Sequence, residues 1–156
     1  MKKIALFPGS FDPFTKGHAD IVLRASQIFD EVVIGIGQNS QKKRFFDLEM
    51  MIDCIEKTFI NDSKVRVEVF SGLTAEFAKQ IGSNYLVRGL RNTTDFEYEN
   101  TIAQVNQKIG QVETVLLITS PEYAYISSTI VRDIYRYGEN VDEYLPYHLP
   151  LNLKTN

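Results

Sequence analysis

The sequence predicts a single α/β domain built on a doubly wound, five-stranded parallel sheet with helices on both faces. Three observations carry that expectation. Short apolar runs alternate with segments of helical period along the chain, the pattern of β-α units. No internal repeat or low-complexity linker interrupts the alternation. The length, 156 residues, suits one domain with a real core, and 44% apolar with 24% charged residues is ordinary globular composition.

In chain order, residues 3–7 are a short continuous apolar run and read as a buried strand. Ile21, Val22, Ala25, Ile28 and Phe29 then line one stripe of a helix over 17–29. Residues 31–36 give a second strand. After a polar loop, a helix over about 47–59 has Asp47 as its N-cap and Leu48, Met51, Ile52, Ile55 and Phe59 as its stripe. Residues 65–70 alternate as a third strand, and a short helix covers Thr74 to Ile81. Tyr85-Leu86-Val87 is a short fourth strand. Thr94 and Glu97 stand at capping-box spacing and start the next helix near Thr94. Residues 112–118 give the fifth strand, and a helix runs from about Ser127 to Tyr137. From about 139 the chain becomes a Pro-punctuated, partly helical tail, still within one domain over 1–156.

In a Rossmann-like sheet of this kind, ligands bind beyond the carboxyl ends of the strands, at the switch point in strand order. The unusual polar residues fall at those ends. Gly9, Ser10 and His18 follow the first strand, and Lys42 and Lys43 the second. Ser71, Gly72 and Thr74 follow the third, and Arg88, Gly89 and Arg91 the fourth. Ser120, Tyr123, Ser127, Ser128 and Thr129 follow the fifth. The five clusters are expected to converge on one rim.

Bulk properties narrow the function. The formal net charge is −3 and the only short basic run is Lys42-Lys43-Arg44. That disfavours a general nucleic-acid binder, whereas a small anionic ligand needs only a few local cations. Cys54 is alone, so it forms no intrachain disulfide, and beside a helical stripe it reads as a near-core residue of a reducing compartment. With one Cys, His18 and His148, no protein metal-ligand set is expected. The apolar run before Pro8-Gly9 is too short for a signal peptide, and no stretch approaches membrane-spanning length. The expectation is a cytoplasmic protein.

Three segments could carry chemistry. In Pro8 to His18, Gly9 and Gly17 allow close approach to a ligand, and Ser10 offers a hydroxyl at a strand end. His18 falls at a helix start, where free N–H groups favour an anion. The segment is neither a Walker A loop nor G-x-G-x-x-G, which disfavours a P-loop NTPase or a nicotinamide oxidoreductase. A Pro/Gly turn with a helix-start histidine is the plainer account. Arg88 and Arg91 straddle Gly89 after an apolar strand and offer planar donors to phosphate oxygens; salt bridges to Glu97 or Glu99 are the alternative. Ser127, Ser128 and Thr129 open a helix and suit a polyphosphate, with an ordinary N-cap as the alternative. Phe96, Tyr98, Tyr123, Tyr125, Tyr135 and Tyr137 read as core or subunit contacts. Glu76, Asp95 and Glu97 read as solvated helix charges.

Together these segments resemble the phosphopantetheine adenylyltransferase family, within the nucleotidyltransferase superfamily whose loose signature is (H/T)-x-G-H. Pro-Gly-Ser-Phe-Asp-Pro-Phe-Thr-Lys-Gly-His (8–18) is similar to the family's opening. Arg-Gly-Leu-Arg (88–91) followed by Asp-Phe-Glu-Tyr-Glu (95–99) is similar to its central segment, and Ile-Ser-Ser-Thr (126–129) to its closing motif. The similarity runs from about residue 3 to about residue 146. Asn92-Thr93-Thr94 departs from a more apolar pattern, position 74 is often a larger aliphatic residue, and the loop before Ile126 is about a residue short.

The resemblance implies that ATP and 4′-phosphopantetheine give dephospho-coenzyme A and pyrophosphate, the penultimate step of coenzyme A synthesis. It implies that Ser10 and Lys42 contact the acceptor phosphate, and that Arg88 and Thr74 hold the phosphopantetheine side. His18 would stabilise the transition state at the α-phosphate, with Lys42 and Arg91 also catalytic. Ser10, Phe11, His18, Gly89, Leu90, Arg91, Glu99 and the loop of Tyr123, Ala124, Tyr125, Ile126, Ser127, Ser128 and Thr129 would enclose ATP. It further implies Mg²⁺ held mainly by ATP phosphates, a homohexamer arranged as a dimer of trimers, and coenzyme A as an inhibitor.

The acceptor phosphate is already anionic near neutral pH, so in-line attack needs no general base, in keeping with the lack of a persuasive carboxylate pair. Other classes stay open. A related nucleotidyltransferase would use another acceptor, such as nicotinamide mononucleotide or a CTP-dependent alcohol. A non-catalytic nucleotide-binding or flavodoxin-like module would bind without releasing pyrophosphate. A purely structural oligomer would not need five polar clusters on one rim.

Overall fold

The computed structural model describes residues 2–39 and 41–149. Strands β1 (Ile4–Gly9), β2 (Glu31–Gln38), β3 (Val65–Ser71), β4 (Tyr85–Leu90) and β5 (Glu113–Ile118) form one sheet in the order β3-β2-β1-β4-β5. All pairings are parallel. Helices α1 (Lys16–Ile28), α2 (Leu48–Thr58), α3 (Thr74–Gln80) and α4 (Thr93–Gly110) join successive strands, and α5 (Ser128–Arg136) follows the last. The first three strands grow toward one edge, and β4 then returns to the far side of β1. This is the doubly wound sheet the sequence predicts.

Successive side chains of a strand point to opposite faces, and the two cores divide accordingly. Ala5 and Phe7 of β1 and Val32, Ile34 and Ile36 of β2 pack with the α1 stripe (Ile21, Val22, Ala25) and with Met51 and Ile55 of α2. On the other face, Leu6, Val33 and Leu86 pack with Ala75, Phe77 and Ala78 of α3. Each fully buried Leu, Ile or Phe contributes roughly 1.5–3 kcal/mol. Gly110 lets the end of α4 lie against α3, where a Cβ would stand 2.7 Å from that of Ala75.

Several boundaries differ from the sequence expectation, each for a local reason. β1 continues through Pro8 and Gly9, which pair with Gly35 and Ile36 of β2, so the Pro-Gly pair does not end the strand. α4 starts at Thr93 because Asn92, not Thr94, caps it, its side chain accepting the Asp95 N–H. Up to residue 149, the helical content of the expected tail is one 3-10 turn over Asp142–Tyr144, and residues 150–156 lie outside the described residues. Cys54 is buried, and burial first, with Asp53 beside it, pushes its thiol pKa up. Tyr135 packs on Phe46, at 5.4 Å between centroids, but Phe96, Tyr98, Tyr125 and Tyr137 are exposed and belong to no core of this chain.

Candidate active site

The site opens where the two central strands part. β1 and β4 are in register only at Ala5–Tyr85 and Leu6–Leu86. β1 stays paired with β2 as far as Gly9, and β4 with β5 as far as Leu90. Beyond Leu6 a wedge therefore opens at the switch point, holding a cavity of about 310 Å³. Gly9 stands at its mouth, where a Cβ would come within 2.8 Å of the Phe11 ring. Phe11 itself turns the chain with φ +45°, a left-handed conformation rare outside glycine.

α1 begins at this cavity. Thr15 is its N-cap, and its side chain accepts the His18 N–H. The Thr15 N–H in turn donates to His18 Nδ1 at 2.9 Å. Nδ1 must therefore be the unprotonated nitrogen, which leaves the proton of the neutral ring on Nε2. The imidazole lies against Phe11 and Phe14, at 5.1 and 5.4 Å between ring centroids. Burial first, and then the charges of Arg88 and Arg91, hold its pKa down to about 3. At neutral pH His18 is thus an uncharged N–H donor.

The two arginines are not free. Arg88 makes a two-pronged ion pair with Glu99 of α4, at 2.8 and 2.6 Å, and also donates to the Pro8 carbonyl. Arg91 is paired with Asp95. The salt-bridge alternative is therefore realised for Arg88, with Glu99, whereas Arg91 pairs with Asp95, which lines the cavity rather than being a solvated helix charge. The Glu99 carboxylate, expected to contact ATP, is occupied by Arg88.

α5 also begins at the cavity, and its hydroxyls are largely committed. Ser127 caps the helix by accepting the Ile130 N–H. Ser128 donates to the Pro13 carbonyl at 2.8 Å, and Thr129 accepts from Arg132. The first-turn N–H groups of Ser128 and Thr129 have no protein partner among the described residues. What α5 offers an anion is thus its backbone more than its hydroxyls.

A second, wider hollow adjoins the first at Ser10. It is lined by Gln38 at the end of β2 with Asn39, Lys42, Lys43 and Arg44 beyond it, by Ser71 at the end of β3 with Gly72 beyond it, and by Arg132 and Arg136 of α5. All five polar clusters reach the carboxyl ends of the strands, but they sort into two hollows that share Ser10. Ser10, Phe11, His18, Arg88, Gly89, Arg91, Glu99, Tyr123, Ile126, Ser127, Ser128 and Thr129 line the first, and Lys42 the second. Leu90, Ala124, Tyr125 and Thr74 line neither. The Leu90 carbonyl is taken by the Thr119 N–H, and Tyr125 is exposed. Thr74 is the first residue of α3.

Sequence reasoning missed two residues that tie the hollows together. The Asp12 carboxylate accepts the N–H groups of Phe45 and Phe46, both at 2.8 Å. Arg44 donates to the carbonyls of Ser10 and Phe11. Each loop thus grips the backbone of the other, and Ser10 and Lys42 line the same hollow. The one available signal was the basic run that contains Arg44. Thr15 was also missed, although Thr-x-x-His is a capping box with His18 in the glutamate's place.

Comparisons with known proteins agree with this geometry. A family model described as cytidylyltransferase-like matches residues 6–134. A phosphopantetheine adenylyltransferase of Cytophaga hutchinsonii is 57% identical, over 96% of this chain and 100% of the relative. One of Phocaeicola vulgatus is 49% identical, over 91% of this chain and 94% of the relative. Among solved structures, a bifunctional NMN adenylyltransferase/ADP ribose pyrophosphatase of Francisella tularensis, complexed with AMP and a Mn ion, superposes with a TM-score of 0.65 at 18% identity. That match covers 96% of this chain but 46% of the other, and its likeness is one of fold. The chain belongs to the cytidylyltransferase-like family and, within it, to the phosphopantetheine adenylyltransferases.

Proposed function

We propose that this protein transfers the adenylyl group of ATP to 4′-phosphopantetheine, giving dephospho-coenzyme A and pyrophosphate. The observation that carries the reading is that two helix N-termini and a neutral His18 donor face one cavity, which opens at Ser10 into a cation-lined hollow. The first hollow suits the nucleotide phosphates, and the second, with Lys42, suits the acceptor. An acceptor phosphate oxygen attacks the α-phosphorus in line. One new P–O bond forms, the bond to the bridging oxygen breaks, and pyrophosphate leaves with that electron pair.

The protein's part is to position two anions and neutralise their charge. Positioning supplies roughly 7–11 kcal/mol of a barrier in favourable cases. The Nε2–H of His18 supplies about 3 kcal/mol as a fixed donor to the α-phosphate oxygens. Lys42, Arg88 and Arg91 offset the repulsion between the reactants, Arg88 and Arg91 by exchanging part of their carboxylate bonding for phosphate. Gly89, Glu99, Tyr123, Ile126, Ser127, Ser128 and Thr129, which line the first hollow, flank the nucleotide.

A Mg²⁺ ion fits the donor set only if it brings its own ligands. Among the described residues no three His, Cys, Asp or Glu side chains are placed to hold a metal, and Asp95 and Glu99 are engaged by arginines. Such an ion would be held by nucleotide phosphates and water, and would supply charge neutralisation there. We also propose a homohexamer, supported by the apolar residues exposed on α4 and β5, Phe96, Tyr98, Val105, Ile109 and Ile118. Inhibition by coenzyme A and a cytoplasmic location follow from the same reading. No described helix is long and apolar enough to cross a membrane.

The test is pyrophosphate release from ATP with Mg²⁺, with and without 4′-phosphopantetheine. Acceptor-dependent release is expected, and His18→Ala is expected to lower kcat by about 10²–10³-fold while remaining folded. No acceptor-dependent release from the wild type would overturn the reaction, and an unchanged kcat in the variant would remove His18 from it.

A further inference from the structure

The loop between β1 and α1 is held almost entirely from outside itself. Each of the five consecutive carbonyls from Ser10 to Phe14 accepts a hydrogen bond from a side chain of another segment. Arg44 serves Ser10 and Phe11, Arg132 serves Asp12, Ser128 serves Pro13, and Tyr147 serves Phe14. Arg44, Arg132 and Ser128 line one hollow or the other, so each is within reach of a ligand. Tyr147 lines neither. It comes from the segment after the last 3-10 turn, and its hydroxyl reaches the Phe14 carbonyl at 2.7 Å.

That carbonyl belongs to the same peptide unit as the Thr15 N–H. A peptide unit is a rigid plane, and in the trans form its C=O and N–H point in opposite directions. One end of this plane is held by Tyr147, and the other donates to His18 Nδ1 at 2.9 Å. Polarising the carbonyl also strengthens the N–H as a donor. Met51 adds a second tie. Its sulfur accepts the Phe14 N–H at 3.4 Å and lies 3.2 Å from the same Tyr147 hydroxyl. The Phe14 ring, fully buried, packs against the imidazole.

We propose that Tyr147 is a positioning residue for the reaction: by clamping the Phe14–Thr15 peptide it fixes the orientation and tautomer of His18 without touching a substrate. The role in catalysis rests on the adenylyl-transfer reading, whereas the coupling to the imidazole stands apart from it. Tyr147→Phe removes one oxygen and keeps the packed ring. Tyr144→Phe, a neighbouring hydroxyl outside both hollows, is the matched control.

Two measurements on the full chain decide the matter. Steady-state kinetics are expected to show kcat lowered about tenfold in Tyr147→Phe, with KM for ATP and acceptor within about twofold, and no change in Tyr144→Phe. ¹⁵N NMR of His18 in the free protein is expected to show a single Nε2–H tautomer in the wild type and in Tyr144→Phe, and averaged ring nitrogens in Tyr147→Phe. An unaltered His18 spectrum in Tyr147→Phe overturns the proposal, as do equal effects of the two variants. A KM effect with kcat retained overturns the catalytic role. If the wild type transfers no adenylyl group, the reaction reading fails while the NMR comparison still decides whether Tyr147 sets the imidazole.

Discussion

The two hollows at the carboxyl ends of the strands share Ser10 but are built on opposite electrostatic plans. In the first, charge is balanced within the protein: Arg88 faces Glu99, Arg91 faces Asp95, and His18 is held neutral. In the second, Lys42, Lys43, Arg44, Arg132 and Arg136 stand against Asp12 alone among the acidic residues lining it. Arg44 is paired with Asp12 at 3.9 Å and Arg136 with Asp133, but Lys42, Lys43 and Arg132 have no carboxylate partner among the described residues, and Arg132 spends its donors on the Asp12 carbonyl and the Thr129 hydroxyl, so positive charge is in surplus. The difference separates two ways of binding an anion. The first hollow offers fixed dipoles and exchangeable ion pairs, which favour geometry over net attraction. The second offers surplus charge, which attracts any phosphate and discriminates less.

The largest effect that would break this contrast is on stability. Glu99→Gln leaves the Arg88 guanidinium, itself only about a quarter exposed, beside an uncharged amide. The loss expected is about 3 kcal/mol, read by urea denaturation at pH 7. A loss below about 0.5 kcal/mol would mean that the pair does not organise the first hollow. Next, Lys42→Ala is expected to raise the acceptor KM by about tenfold, the scale of one hydrogen bond to a charged group, with the ATP KM much less affected. Equal rises in both KM values would erase the division of labour.

A pH-dependent effect sharpens the neutrality of His18. Its folded pKa, about 3, lies below the ordinary 6.5, so between those values the unfolded chain binds more protons than the folded one. Stability therefore rises with pH across that window and is lost as pH falls through it, by at most about 1.4 kcal/mol per pH unit from this group. His18→Gln is expected to flatten that part of the stability profile, measured by denaturant titration from pH 4 to 7. A profile of unchanged slope would mean that His18 titrates alike in the folded and unfolded chains.

The sheet was legible because its inner strands are buried on both faces and so are nearly continuous apolar runs, as in Val32–Ile36. The start of α4 was less so, because Asn92 and Thr94 are both good caps two residues apart and only the fold chooses between them. At the site, residues that follow strands were visible through the topology of parallel sheets. Their partners were less so. The Arg88–Glu99 pair was legible only as an alternative to phosphate binding, and Asp12 finds the Phe45 and Phe46 backbone across more than thirty positions. Such pairings depend on how two loops meet, which no local pattern records. The same holds for Tyr147, whose hydroxyl meets a carbonyl 133 positions away.

Pro8 sits in the middle of a sheet, where proline is ordinarily excluded because it donates no hydrogen bond. In a strand, the N–H and C=O of one residue point the same way, and the Pro8 carbonyl is taken by Arg88 of β4. The missing donor therefore faces the wedge, at the point where β4 has already left β1. An ordinary residue there would present an N–H to a neighbour no longer in register, an orphan group at the floor of a binding cleft. With proline the sheet ends on one flank without leaving a donor to be satisfied, while its other flank stays paired with β2 for three residues beyond Leu6. A central strand is thus turned into the wall of a cavity by subtracting a single hydrogen atom from its backbone.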